Sequence, residues 1–250
     1  MLKTRIIPCL DIIKNKVVKG VNFKNIKVMG NAVEMAKKYS STGADELCML
    51  DINASYQNRK TFIKTVEAIA KVVNIPLTVG GGISEINDIT DLLNAGADKV
   101  SINSAAVKNP KLIRQASLKH GSQCIVVAID AKRHKKQMKV VIKGGREITN
   151  KELVSWAKRV HQLGAGEILL TSMDTDGVQK GFDSTMLKKV TSNVNLPVIA
   201  SGGVGSLEHF YLGHLTKSTG LLAASVFHSG RYTINTVKKF LDKKGVPVRL

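Results

Sequence analysis

Two aspartates stand out in this 250-residue sequence. Asp11 follows the apolar run RIIPCL, and Asp130 follows CIVVAI. A carboxylate at the rim of a low-dielectric core has its neutral form favoured, which moves its pKa toward neutrality. Two such groups facing one ligand suit general acid and general base work. Two glycine turns echo one another as well: LTVGGGI at 77–83 and VIASGGV at 198–204. Glycine lets the backbone approach an anion, and the amides of a following helix supply donors. Gly202 and Gly203 with Ala224 and Ser225 form one candidate phosphate cradle, and Gly81 and Gly82 with Asn103 and Ser104 form a second. A single strand-end Asp also serves as a helix N-cap, and a single glycine pair as a tight turn. The pairing of each feature is what points to chemistry.

The elements that must position these groups are short apolar, β-branched runs alternating with amphipathic stretches. Strands are expected at Arg5–Leu10, Glu46–Asp51, Leu77–Val79, Lys99–Asn103, Cys124–Ile129, Glu167–Thr171, Val198–Ala200 and Leu221–Ala224. Helical patterns fall between them, among others at Ala32–Ser40, Thr61–Val73, Ile86–Asn94, Lys111–Lys119 and Lys151–Leu163. Strand–helix alternation predicts right-handed crossovers and a parallel sheet. Eight such units in one chain of this length fit an α/β (β/α)8 TIM barrel over residues 1–250. A doubly wound open sheet is the second choice, disfavoured because the first turn lacks GxGxxG.

The chain also repeats itself at an offset of 121 residues. TGADE (42–46) aligns with LGAGE (163–167), NIP (74–76) with NLP (195–197), and Gly81–Gly82 with Gly202–Gly203. Ser104 aligns with Ser225, AKK (36–38) with AKR (157–159) and, after a two-residue slip, CLD (9–11) with AID (128–130). This order predicts two duplicated four-unit half-barrels, about 1–121 and 122–250. The cradles then lie on opposite sides of the mouth, suited to a substrate with a phosphate at each end. At the opposite rim, Arg5, Glu46, Lys99 and Glu167 open their strands. They read either as a stabilising ion-pair ring or as a gate beneath which something docks.

Composition narrows the remaining classes. Net charge is +19, favouring anionic ligands, yet Lys outnumbers Arg 30 to 8 and aromatics are 4%. A nucleic-acid surface with stacking aromatics is therefore not expected. No apolar run reaches the roughly 20 residues of a membrane span. MLKTRIIPCLDII makes a poor signal peptide, which predicts a cytoplasmic location. Cys9, Cys48 and Cys124 show no ligand spacing, so no metal site is expected. His209 and His214 read as surface residues.

These residues resemble a known family, the cyclase subunits of imidazole glycerol phosphate synthases of histidine biosynthesis. The resemblance runs nearly end to end. It is carried by RIIPCLD (5–11), VVKGVNF (17–23), DELCMLDINAS (45–55), TVGGGI (78–83), GADKVSINSAAV (96–107), GSQCIVVAIDAKR (121–133), GAGEILLTSMDTDGVQKGFD (164–183), PVIASGGVGSLEHF (197–210) and LAASVFH (222–228). It implies a barrel that joins ammonia to a bisphosphorylated ribulosylformimino-aminoimidazole carboxamide ribonucleotide, with no metal or organic cofactor. By resemblance, Asp11 and Asp130 are the acid–base pair. Gly82, Asn103 and Ser104 hold one phosphate, while Asp176, Gly177, Gly203, Ala224 and Ser225 line the other end. Thr171, Ser201 and Gly202 are grouped with these substrate-binding positions, and Lys19 sits in a closing loop after strand 1. Arg5, Glu46, Lys99 and Glu167 match the family's gate ring. A glutaminase subunit, docked on the N-terminal face as a heterodimer, feeds ammonia through that ring.

The chain departs from the family pattern at Asn15, Lys16, Asn53 and Gly144, and lacks Gly-Ala-Asp before strand 8. None of these removes a catalytic group. Three alternatives remain. A sister isomerase of the same pathway needs no ammonia. A glycan-amidating relative tends to lack the first Asp, present here as Asp11. A basic, non-catalytic nucleic-acid binder would show a steep salt dependence.

Overall fold

A computed structural model describes residues 2–13, 16–21, 24–52 and 63–250. Eight parallel strands close into a barrel: β1 (Arg5–Ile13), β4 (Leu47–Asp51), β5 (Leu77–Gly80), β6 (Lys99–Ile102), β7 (Ile125–His134), β10 (Glu167–Ser172), β11 (Val198–Ser201) and β12 (Gly220–Ala223). Closure is made twice over, by β1 against β12 (Arg5 beside Gly220) and by β7 against β10 (Asp130 beside Thr171). A closed ring leaves no edge between strands, which rules out the doubly wound alternative.

The helices between strands are α1 (Ala32–Ser41), α2 (Ile63–Ala70), α3 (Ile86–Asn94), α4 (Ser104–Lys108), α5 (Lys111–His120), α6 (Leu153–Gln162), α7 (Ser184–Thr191), α8 (Leu207–His214), α9 (Ser225–His228) and α10 (Ile234–Lys243). Several begin on side-chain caps: Asn31 accepts from Val33 N, Asp183 from Met186 N and Thr233 from Thr236 N. Each cap satisfies an amide that the first turn leaves without a partner. The Thr61–Val73 expectation is met over Ile63–Ala70, while Thr61 lies outside the described residues.

Apolar side chains form two cores. The larger, with Ile6, Leu10, Leu47, Val79 and Phe210, fills the layer between barrel and helices. The smaller fills the barrel itself: Ile7, Cys9, Cys48, Val126, Ala128, Leu169, Ile199 and Leu222. Strand alternation sends neighbouring residues to opposite cores, Ile6 outward and Ile7 inward. Cys9 and Cys48 are buried free thiols here, as their apolar flanks predict.

Two hairpins extend the barrel: β2 (Lys16–Val21) with β3 (Lys24–Asn31) after β1, and β8 (Gln137–Ile142) with β9 (Glu147–Glu152) after β7. They sit on opposite strands of the ring. Lys19 therefore lies in a strand, correcting its expected placement in a loop. VVKGV is rich in β-branched valine and pairs antiparallel with the run from Lys24. Asn15 and Asn53 lie outside the described residues, so the departures there receive no structural account.

Candidate active site

The C-terminal ends of the strands open into one cavity. Its walls include Asp11, Lys19, Gly82, Asn103, Ser104, Asp130, Thr171, Asp176, Gly177, Ser201, Gly202, Gly203, Ala224 and Ser225. Every mouth residue singled out from the sequence is therefore brought to this cavity, although they span more than 200 positions.

The two aspartates end strands on opposite sides of the ring, in unlike surroundings. Asp11 is buried, and its Oδ2 pairs with Lys19 Nζ at 3.0 Å. Burial works against the Lys19 charge, but Asp11 and then Asp176 more than offset it and hold the ammonium above its ordinary range. Among the described residues, no cation acts on Asp130. Asn103 Nδ2 donates to its Oδ2 at 2.9 Å, and Thr171 donates a second bond. Desolvation outweighs both bonds and, with the nearby Asp176 charge, pushes Asp130 up to about 6. Asp176 is itself raised, chiefly by burial. Of the two strand-end aspartates, Asp11 is thus ion-paired, whereas Asp130 is a desolvated carboxyl pushed toward neutrality.

The glycine turns approach their neighbours as closely as their positions demand. Gly81 has φ +102°, and a Cβ there would lie 2.4 Å from Asp51 O. Gly203 has φ +98°, and a Cβ there would lie 2.1 Å from Gly181 O, while its own carbonyl accepts from Gly181 N at 2.7 Å. No other residue fits either position. Beside these turns, α4 and α9 begin at Asn103 and Ala224, neither of which caps its helix with a side chain. Asn103 spends its amide on Asp130 instead.

Two buried polar atoms in the mouth, Ser101 Oγ and Asn103 Oδ1, have no hydrogen-bond partner among the described residues. Leaving such atoms unmatched costs about 1–3 kcal/mol each, a cost that a polar ligand relieves. Ser101 is absent from the sequence reading. Its signal was the inward spacing Lys99, Ser101, Asn103 along β6. Gly144 also lines the mouth, beside the contact of Lys143 N with Ser104 Oγ at 3.1 Å.

At the other end of the barrel the four charges form a closed cycle. Arg5 Nη1 meets Glu46 Oε2 at 2.7 Å, and Arg5 Nη2 bonds Glu167. Lys99 Nζ meets Glu46 Oε2 at 3.1 Å and Glu167 Oε2 at 2.9 Å. Thr78 donates to Glu46 Oε1 at 2.7 Å, and Arg5 Nη2 donates to Thr219 Oγ1 at 3.2 Å. Sequence reasoning found the charges but missed both threonines, which resemble ordinary strand formers. It also misjudged His209 and His214. Both are half-buried and bonded, His209 Nδ1 accepting from Gly205 N at 3.1 Å and His214 Nδ1 sharing a proton with Thr4 Oγ1 at 2.9 Å.

Fold and cavity together define a (β/α)8-barrel enzyme with its site at the C-terminal face of the strands. Residues 5–233 match the family model described as "Histidine biosynthesis protein", and the chain belongs to that family. The imidazole glycerol phosphate synthase subunit HisF of Prochlorococcus marinus subsp. pastoris is 53% identical over 253 aligned residues, covering 100% of this chain and 99% of that protein. The protein of the same name from Prochlorococcus marinus strain MIT 9515 is 54% identical, covering 100% and 98%.

Proposed function

We propose that the chain catalyses the ammonia-dependent cyclase step of histidine biosynthesis. The substrate is the phosphoribulosylformimino-aminoimidazole carboxamide ribonucleotide. The products are imidazole glycerol phosphate and aminoimidazole carboxamide ribotide. Family membership and the two HisF relatives support this reading. The observation that carries it in the structure is the unlike carboxyl pair, set on opposite strands of a mouth flanked by two glycine turns.

The chemistry needs both carboxyls. Ammonia attacks the ribulosyl carbonyl carbon, the carbonyl oxygen gains a proton, and the new nitrogen must lose one. Asp130, part-protonated near pH 6, supplies the first proton, and Asp11, the anion paired with Lys19, accepts the second. Water then leaves. The new nitrogen attacks the formimino carbon, and its bond to the ribotide amine breaks as that amine is protonated. A final proton loss makes the ring aromatic. Gly82, Asn103 and Ser104 receive one phosphate, and Gly202, Gly203, Ala224, Ser225 and Gly177 receive the other. Thr171, Ser201 and Asp176 line the reacting centre between them. Ser101 Oγ and Asn103 Oδ1 find their partners on the substrate.

The chain also acts as one barrel domain of two related halves. The matching hairpins after β1 and β7 support this, as do positive φ angles at Gly81, Gly82, Gly202 and Gly203. Its partner is a glutaminase subunit that docks on the N-terminal face and delivers ammonia past Arg5, Glu46, Lys99 and Glu167. Exposed Leu2, Leu118, Leu215 and Leu250, all in segments ending at that face, support an interface there. The test is turnover of the substrate by the purified protein with an ammonium salt, at a pH that supplies free ammonia. Strict dependence on ammonium is expected. Equal consumption without it would make the protein an isomerase.

A further inference from the structure

Outside the reacting groups, one part-buried network joins three elements at the seam where β12 meets β1. The β1–β12 ladder ends at Pro8 beside Ala223, after which the chain turns into α9. The next acceptor along β1 is the Cys9 carbonyl, two residues before Asp11. It is taken by a side chain: His228 Nε2 lies 2.9 Å from Cys9 O. His228 Nδ1 lies 2.7 Å from Tyr39 Oη of α1. A carbonyl only accepts, so Nε2 carries the ring proton and Nδ1 accepts from the tyrosine hydroxyl. Both nitrogens are thereby assigned, and one neutral tautomer is selected. The Tyr39 and His228 rings lie 5.8 Å apart at 35°, and Tyr39 meets Phe227 edge-on at 6.3 Å. Burial supports the assignment by lowering the imidazole to about 4.

Helix α9 carries two features at once. It begins at Ala224 and Ser225, on the mouth, and ends at His228. The imidazole therefore ties the anion-facing end of β12 to β1, which bears Asp11, across the closure of the barrel. We propose that His228, oriented by Tyr39, is a positioning residue that fixes Asp11 relative to the anion cradle at Ala224 and Ser225. It touches no substrate atom and acts only through the Cys9 carbonyl. The role rests on the cyclase reading, in which a phosphate held by that cradle must present the ribulosyl carbon to Asp11.

The experiment compares the wild type with His228→Ala, His228→Gln and Tyr39→Phe in the ammonium assay, reading kcat and KM separately. A displacement of the order of an ångström at a reacting pair costs on the order of 100-fold in rate, so His228→Ala should lose about that in kcat. KM should stay within about twofold, because the cradle amides remain. Tyr39→Phe keeps the ring packing and loses one hydrogen bond, so kcat should fall about fivefold. His228→Gln, whose amide can donate to the Cys9 carbonyl, should recover about tenfold over the alanine variant. It also carries the test should His228→Ala fail to fold. Side-chain 15N spectra should show His228 protonated at Nε2 alone near neutral pH, with Nδ1 shifted in Tyr39→Phe. Wild-type kcat in His228→Ala, or a proton on Nδ1, overturns the positioning role while leaving the cyclase reading intact. An inactive wild type overturns the cyclase reading, and the positioning role with it.

Discussion

The two sides of the mouth share a plan and differ in their electrostatics. β1 and β7 each leave the barrel through a hairpin, and each ends its inward row with an aspartate. On the first side the hairpin turns Lys19 back onto Asp11 at 3.0 Å. On the second, among the described residues, no cation reaches Asp130, which meets the Asn103 amide and Thr171. Similar backbones thus hold an ion pair on one side and a desolvated acid on the other. A single proton-transfer site needs only one carboxyl, whereas a reaction that protonates one atom and deprotonates another needs two of unlike affinity.

Removing either carboxylate tests the comparison most severely. Asp11→Asn and Asp130→Asn should each lower ammonia-dependent kcat about 1000-fold with KM within about threefold. Stopped turnover assays under saturating substrate measure this. Near-wild-type turnover in the double variant would show that neither carboxyl moves a proton.

The Arg5–Glu46–Lys99–Glu167 cycle offers a contrast of a different kind, because its charges are matched where those at the mouth are not. Lys99→Met leaves two buried glutamates sharing Arg5. Allowing for the partial exposure of Lys99, denaturant unfolding should show a loss of about 2–3 kcal/mol. The variant should still turn over added ammonium salt, since the ring lies at the end of the barrel remote from the aspartates. Loss of all turnover in a folded Lys99→Met protein would place the ring within the reacting site.

Stability should also distinguish the two aspartates. Asp130 has its folded pKa raised from 3.8 to about 6, so the folded state holds a proton that the unfolded chain has released. The stability this provides is present below about pH 4 and is lost as pH rises through 6. Asp130→Asn removes that dependence. Relative to wild type it should gain about 2 kcal/mol between pH 4 and pH 7, a figure reduced for water reaching the mouth. Calorimetry at the two pH values measures the gain. A constant difference would mean that Asp130 titrates normally.

Much of this contrast was legible in the sequence, and its physical origin explains where legibility ended. The eight barrel strands are apolar on both faces and bounded by turns, so they stand out as short β-branched runs. Asp11, Asp130 and the glycine pairs interrupt those runs and draw attention for that reason. The hairpins were hidden. The β7–β8 turn runs through Lys135, with φ 54°, and Lys136, without the Asn-Gly or Asp-Gly pair that usually marks such a connection. Lys19 was placed in a loop by family resemblance, whereas it lies in β2. Ser101 and Thr78 within strands, and Thr219 just before β12, were hidden because a hydroxyl residue in or beside a strand looks the same whether it faces a ligand, an ion pair or another strand. His228 was quoted within LAASVFH, but only the folded chain shows Tyr39 and Cys9 meeting it, at separations of 189 and 219 residues.

The finest test concerns how Asp130 is tuned. Four influences act on it: desolvation and the Asp176 charge raise its pKa, and the Asn103 and Thr171 hydrogen bonds lower it. Asn103→Leu keeps the volume near the carboxyl while deleting one bond to its anionic form. The Asp130 pKa should then rise by about one unit, as expected for a neutral hydrogen bond worth about 1 kcal/mol. Site-resolved 13C titration of the carboxyl carbon reads this directly, and Asp11, which does not touch Asn103, serves as the internal control. An Asp130 midpoint unmoved by the change would leave its tuning to burial, the Asp176 charge and Thr171. The contrast between the two sides of the mouth would then rest on Lys19, on depth and on Asp176 and Thr171, with no part played by the amide.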